Sequence, residues 1–369
     1  METPGLKLSV AVLYTITVLI STMVSGTAGT ESGLPMKPAI RFNRPTKKRL
    51  QYAKQLGAES VIVHPYKLPY LPDDELPLST EEEWSFEELV HLRNKVEDAG
   101  LELGAIENIP MNLYEAVMLG REGRHDQLES IKRIVRNMGR AGIPVLGYHW
   151  MPSGVWRTSL TRPVRGGAEA TAFRFEDVED APLSHDREYD EAELWDNYQY
   201  FLEEVLPVAE DAGVKLCLHP DDPPVENIAG IPRLFRNFEN FERAMEIVPS
   251  ENHGLEFCLG TWSEMYIDRS LVDVIRHFGQ RDKIFYVHFR DVEGTTSDFQ
   301  EVFLDQGNYD EYDVLSALHD ARFDGMVIPD HVPTMVDEPK WRPTGRAYTI
   351  GYIKGMLKAL DSAPEGRDS

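Results

Sequence analysis

Four stretches of the chain repeat one plan: AKQLGAESVIVHP (53–65), KVEDAGLELGAIE (95–107), RAGIPVLGYH (140–149) and EDAGVKLCLHP (210–220). Each runs from the close of an amphipathic helix, through a glycine, into a short apolar run. Glycine suits the residue just past a helix because, lacking a Cβ, it adopts positive φ freely. The apolar runs lack the in–out alternation of a half-exposed strand and read as parallel strands buried on both faces.

Working outward, eight such runs emerge: Pro38–Phe42, Ser60–His64, Leu103–Glu107, Pro144–His149, Lys215–His219, Leu255–Cys258, Ile284–Phe289 and Met326–Asp330. The spacing predicts helices over 46–56, 84–99, 127–141, 191–212, 238–247, 270–278 and 310–321, with a last one over 345–360 after the eighth strand. Gly57, Gly100, Gly142, Gly213 and Gly279 punctuate the helix ends. Eight strand–helix units predict a single-domain (β/α)8 TIM barrel. An open doubly wound sheet is the runner-up, but no glycine-rich phosphate turn follows the first strand. The two long interruptions, 65–83 and 152–190, follow strands two and four. They therefore belong on the C-terminal face, where active-site lids sit.

Composition agrees with a soluble enzyme. The 369 residues, 42% of them hydrophobic, suffice for one large core. A formal charge of −24 excludes a nucleic-acid binder, which needs Lys and Arg against phosphates. Two cysteines are too few for a disulfide scaffold and point to a reducing compartment. Residues 1–35 stand apart. The run LKLSVAVLYTITVLISTMV (6–24) is apolar enough for three readings: an upstream extension with no role in the working protein, a signal peptide, or a membrane anchor. Met36 opens the strand–helix pattern and offers an alternative start. The catalytic domain is expected over 36–361, with a tail over 362–369. The expected location is cytoplasmic, or exported if residues 1–29 act as a signal. No nucleic acid is expected, nor a stable membrane association unless that segment is retained, and a homo-oligomer is possible.

The residues at the last four strand ends carry the chemistry. They are His219, Cys258, His288 and Asp330, far apart in sequence but brought to one rim by closure of a barrel. Two imidazoles, a thiolate and a carboxylate can hold one divalent cation and leave positions open for substrate. Each residue alone has a bland reading: a hydrogen-bonded histidine, a packed cysteine, a capping aspartate. Their joint placement at four successive strand ends favours the metal. Cys217 shares His219's strand face but sits deeper, as barrel packing. His331 follows Asp330 and is the candidate proton carrier. Arg290, two residues past His288, and Arg157 in the loop after strand four are candidate clamps for an anionic group. Arg174 is a further candidate in the same loop, and an ordinary surface role is equally open to Arg157 and Arg174. His149, and behind it His64 and Glu107, are candidate substrate contacts, while Asp221 and Asp222 could orient His219 or turn the loop.

The chain resembles the mannonate dehydratase family in LHPDDPP (218–224), GIPRLF (230–235), GLEFCLG (254–260), HFRDV (288–292), PDH (329–331) and RAYTIGYIKG (346–355). AIENIP (105–110), GIPVLGYHWMP (142–152) and WRTSL (156–160) extend the likeness over nearly all the chain after Met36. The resemblance implies a Mn²⁺-binding barrel that removes water from D-mannonate to give 2-keto-3-deoxy-D-gluconate in hexuronate breakdown. It carries the family's metal ligands onto His219, Cys258, His288 and Asp330, and its catalytic histidine onto His331. The chain also departs from the pattern. His149 replaces an asparagine, Asn112 replaces a histidine, an aspartate before the Trp-x-Arg-Thr stretch is absent, and the tyrosine of a Gly-Tyr-Gly run has no counterpart among Trp341 and Tyr348. The expected partner is thus a small-molecule sugar acid, and the expected reaction is loss of water from it. A metal-dependent sugar isomerase or epimerase, and an inactive sugar-acid-binding relative, are the alternatives.

Overall fold

Capping side chains start the helices where local chemistry dictates. Thr46 accepts from the Arg49 amide to open helix α1 (Lys47–Leu56), and Ser85 and Glu88 form a reciprocal capping box on α2 (Phe86–Glu97). The computed structural model describes residues 36–66, 77–265 and 267–362. The expectations for residues 1–35 and for most of the C-terminal tail lie outside the described residues. Among those described, no helix is long and apolar enough to cross a membrane.

Eight parallel strands close the barrel: β1 (Lys37–Phe42), β2 (Ser60–Val63), β3 (Glu102–Ile106), β4 (Val145–Tyr148), β7 (Lys215–Leu218), β10 (His253–Cys258), β11 (Ile284–Phe289) and β14 (Met326–Pro329). Each pairs with its neighbours in chain order, and β14 returns to β1 through Lys37↔Met326 and Pro38↔Val327. The barrel interior is filled by Ala39, Ile62, Ala105, Val145, Cys217, Tyr286, Met326 and Ile328, so Cys217 serves packing. Outside run α1 and α2, then α3 (Glu115–Met118), α4 (Arg124–Ala141), α5 (Glu191–Ala212), α6 (Phe238–Ile247), α7 (Leu259–Glu264), α8 (Leu271–Gly279), α9 (Glu311–Asp320) and α10 (Pro343–Asp361). Helix α4 shows how they attach: Leu128, Ile131, Ile134, Val135 and Met138 fall three and four apart and are buried on one stripe. Each such side chain contributes about 1.5–3 kcal/mol by leaving water.

Gly57, Gly142 and Gly213 end their helices at positive φ, as the repeat requires. Gly279 departs from the expectation. It is the last residue of α8, packed so that a Cβ would meet that of Ala321 at 2.7 Å, and Asp282 takes the left-handed turn instead.

The stretch 152–190 is more than a lid. It contributes β5 (Ser159–Pro163) and β6 (Glu169–Arg174), which join β12 (Asp291–Thr295) and β13 (Asp298–Val302) from the connection after β11. The four form an antiparallel sheet in the order β12-β13-β6-β5. A two-stranded ladder, β8 (Asn227–Ile228) with β9 (Ile231–Pro232), follows the Asp221–Pro224 turn. Phe173, Val292 and Phe299 of the accessory sheet pack with Val225 and Ile228 beside that ladder.

Candidate metal centre

The last four strand ends deliver their polar side chains to one buried cluster. His219 Nδ1 lies 2.6 Å from the Pro220 carbonyl. A carbonyl only accepts, so Nδ1 carries a hydrogen and Nε2 is the nitrogen left to face a ligand. Burial would lower this imidazole, but Glu256 and Cys258 raise it to about 9 while no cation is bound. The Cys258 thiol receives two hydrogen bonds at 3.3 Å, from Arg290 Nε and Thr261 Oγ1. Burial alone would push this thiol up. Arg290 and the two imidazoles outweigh it and hold Cys258 well below its ordinary range, as a thiolate. Ligand atoms of His219, Cys258 and His288 all lie within 4.8 Å of one another. Asp330 Oδ2 stands 3.4 Å from His288 Nδ1.

A second group that could hold an ion shares His288: Glu107, Glu256 and His288. His288 Nε2 is 3.0 Å from Glu107 Oε2 in hydrogen-bonding geometry, and 2.9 Å from Glu256 Oε1. The other ring nitrogen, Nδ1, is buried without a hydrogen-bond partner, and so are both Glu256 oxygens. Burial would drive His288 toward neutrality, but Glu107, Glu256 and Asp330 reverse this and favour its protonated form while no cation is bound. Glu256 is pushed up by burial and by Glu107. Gly147 leaves room for this crowding, since a Cβ there would meet Tyr286 Oη at 2.7 Å and Glu256 Oε2 at 2.9 Å. Converging anionic donors, a buried thiolate and an unpartnered imidazole nitrogen fit a divalent cation. The structure thus supports a divalent-metal site at the mouth of the barrel.

The remaining expected residues fall into distinct positions. Asp222 is gripped by Arg157 through two parallel bonds of 2.6 and 2.8 Å and by Arg290 at 3.1 Å. Asp221 accepts from the Phe235 amide at 2.7 Å, and burial raises it to about 6. Neither carboxylate touches His219, whose orientation comes from Pro220. Arg290 is turned inward at 2% exposure, donating to Cys258, Glu264, Asp222 and Thr261. Its Nε and both terminal nitrogens are thus engaged by protein groups. Arg157 is likewise engaged, by Asp222 and Glu301. Arg174 lies on the exposed side of the accessory sheet, 3.6 Å from Asp298. His149 and His64 are partly exposed at their strand ends. Burial and neighbouring cationic groups, His219 first for His149 and Arg41 first for His64, lower both to about 3 and keep them neutral. Tyr348 donates to Asp305 at 2.9 Å, and Trp341 packs edge-on against Tyr52 at 5.0 Å. Asn112 donates to Glu81 at 2.9 Å.

Three residues near the centre escaped the sequence reading. Arg41 on β1 lies 2.8 Å from both Glu107 Oε1 and Asp330 Oδ1, tying the first strand to the third and last. Glu256 sits two residues before Cys258, so strand alternation could have revealed it. Glu301 on β13 faces His331 Nδ1 at 2.5 Å. His331 is 31% exposed, beside the buried Asp330, and holds a positive φ of 38°. For a residue with a Cβ, that conformation carries strain that the surroundings must hold in place.

The D-mannonate dehydratase (UxuA) family model matches residues 36–186 and 180–366. Mannonate dehydratase of Thermotoga maritima is 32% identical over 76% of the chain and 87% of its own length. Mannonate dehydratase 2 of Halalkalibacterium halodurans is 30% identical over 89% of the chain and 100% of its own length. The crystal structure of mannonate dehydratase from Streptococcus suis serotype 2 superposes with a TM-score of 0.77 at 30% identity, covering 88% of this chain and 94% of that one.

Proposed function

The chain belongs to the D-mannonate dehydratase (UxuA) family, and from that premise we propose that it is a hydro-lyase converting D-mannonate to 2-keto-3-deoxy-D-gluconate and water. The observation that carries this reading is the convergence of His219, the Cys258 thiolate, His288 and Asp330 beside a partly exposed His331. One divalent cation, Mn²⁺ by family, would be held by those four residues. Glu107 and Glu256 then act behind it. By taking the Nε2 hydrogen of His288, Glu107 would leave Nδ1 as the ring nitrogen for the cation, as carboxylates behind metal-bound histidines do, with Glu256 beside the same edge of the ring. This use of His288 favours one ion over two, because Nε2 is already engaged.

The proton at C2 of an aldonate is weakly acidic, and its removal builds negative charge on the carboxylate oxygens. When bound, the cation supplies Lewis-acid stabilisation of that charge. His331 lies at the rim and is the group we assign to moving a proton at C2 or at the departing C3 hydroxyl. The C2 proton passes to a base, and the C2–H electrons form the C2–C3 double bond as the C3–O bond breaks. The departing hydroxide takes up one proton to leave as water, and the enol tautomerises to the 2-keto acid. Arg290 and Arg157 hold Asp222 and the thiolate in register, and His149 remains the proposed contact for a substrate hydroxyl.

The test is incubation of Mn²⁺-loaded protein with D-mannonate and, separately, with other C5 and C6 aldonates, assaying 2-keto-3-deoxy acid. Product from D-mannonate is expected. Product from another aldonate alone keeps the dehydratase chemistry and changes the substrate. Interconversion of a neutral sugar with no product from any acid overturns the reading in favour of an isomerase.

A further inference from the structure

We propose that Glu301, delivered by the accessory sheet, is the positioning residue that fixes which ring nitrogen of His331 carries hydrogen and which one meets the substrate. The inference rests on the reading of His331 as the proton carrier.

Glu301 is 1% exposed, yet both its oxygens are engaged. Oε2 accepts from Thr171 Oγ1 at 2.5 Å, which anchors the carboxylate to β6. Oε1 accepts from Arg157 Nη2 at 2.8 Å and lies 2.5 Å from His331 Nδ1. Burial by itself would protonate this acid. His331 and Arg157 outweigh burial and hold it at about 2, so it is ionised at neutral pH. An ionised carboxylate has no hydrogen to give, so the hydrogen in the 2.5 Å contact belongs to Nδ1. Nδ1 therefore cannot also accept from Arg157, whose Nη2 lies 3.3 Å away, and that contact is proximity only. The consequence is specific: Nε2, 3.8 Å from Asp330 Oδ1, is the nitrogen left to take up or release a proton beside the metal site.

The pairing also explains how a strained backbone is tolerated. At φ 38°, His331 departs from the conformations that a residue with a Cβ prefers. A charge-assisted bond from a buried, doubly anchored carboxylate holds the ring in one azimuth despite this. A carboxylate that orients a catalytic imidazole and fixes its tautomer is a general device. Here the carboxylate comes from an insertion beyond the barrel, not from a strand end.

The experiment combines Glu301→Gln with Arg162→Ala as a control. Arg162 sits on the same sheet in an exposed pair with Asp298 at 3.0 Å and does not touch Glu301. Turnover, KM and metal content are measured for each. In parallel, ¹⁵N-histidine spectra of Mg²⁺-loaded protein, with His331 assigned by His331→Asn, report the ring tautomer at a pH where the ring is neutral. In Glu301→Gln, kcat falls by about a hundredfold, KM and metal content stay within about threefold, and the Nδ1–H form loses its predominance. Arg162→Ala keeps kcat within about threefold. Wild-type kcat in Glu301→Gln, an equal loss in Arg162→Ala, or an unchanged His331 tautomer overturns the proposal. If no aldonate is turned over by the wild type, the proposed function fails while the tautomer spectra still decide the role of Glu301.

Discussion

His253 and His288 are buried to the same degree, 1% exposed, on neighbouring barrel strands, yet their surroundings push them in opposite directions. His253 opens β10 at the base of the barrel, where its Nε2 meets the hydroxyls of Tyr148 at 2.8 Å and Tyr198 at 3.3 Å. Burial, helped by the nearby Lys283, lowers it to about 3 and keeps it neutral. His288 lies on β11 at the mouth, among Glu107, Glu256 and Asp330, and those carboxylates reverse the effect of burial. Burial therefore does not by itself separate structural from functional histidines. The charge gathered around the ring does. At the base, neutral hydroxyls meet Nε2 of the imidazole while its Nδ1 is buried without a hydrogen-bond partner. At the mouth, Glu107, Glu256 and Asp330 gather around the ring, and both Glu256 oxygens are buried without a hydrogen-bond partner.

The comparison is broken most directly at the mouth. His288→Ala is expected to abolish stoichiometric binding of a divalent ion, with affinity falling by more than about a hundredfold and turnover with it. Cys258→Ala should act in the same sense. Metal analysis after dialysis checks both, and wild-type metal content in either variant removes the residue from the ligand set. His288→Ala also deletes a buried cationic group from among three acids, so a fall in thermal stability of the metal-free protein is expected for that variant as well.

Glu107→Gln sharpens the comparison without removing a ligand. If the carboxylate only orients His288, metal affinity falls by about 10–100-fold while the stoichiometry at saturating metal is kept. Competition with a chelator of known affinity measures this. Complete loss of binding would instead make Glu107 a direct ligand.

The smallest effect belongs to the base. His253 is held near 3 when folded, against about 6.5 for an unperturbed imidazole, so between those values the unfolded chain binds more protons. Stability contributed by the neutral ring is present above about pH 6.5 and is lost as pH falls toward 3. Between pH 7 and 5 the loss is about 2 kcal/mol. His253→Gln, which keeps a hydrogen-bonding group but does not titrate, should flatten the acid limb of the stability curve by that amount. Denaturant unfolding at the two pH values checks it, and an unchanged slope would assign the acid sensitivity to other groups.

The same contrast explains what could be read in advance. The barrel was legible because each helix–glycine–strand unit repeats a local rule, and closure then forces His219, Cys258, His288 and Asp330 to one rim. Arg290 was legible as a rim residue but not in its direction. Its inward turn is set by Cys258, Thr261 and Glu264, which meet it only through the short helix α7 and tertiary packing. Glu301 was invisible for a stronger reason. Its place depends on the register between two insertions, Asp298↔Arg174 and Phe299↔Phe173, and no local pattern in either segment encodes that pairing.

That shared register has a bearing on how such enzymes diverge. The insertion after β4 supplies Arg157 and Thr171, the one after β11 supplies Glu301, and His331 waits at the end of β14 for what they build together. The two segments are therefore coupled through the β13–β6 pairing. A change of length in one shifts the other's alignment and, with it, the imidazole they jointly steady. The expected consequence is that a change of length in this half of the rim is tolerated only when both insertions change together.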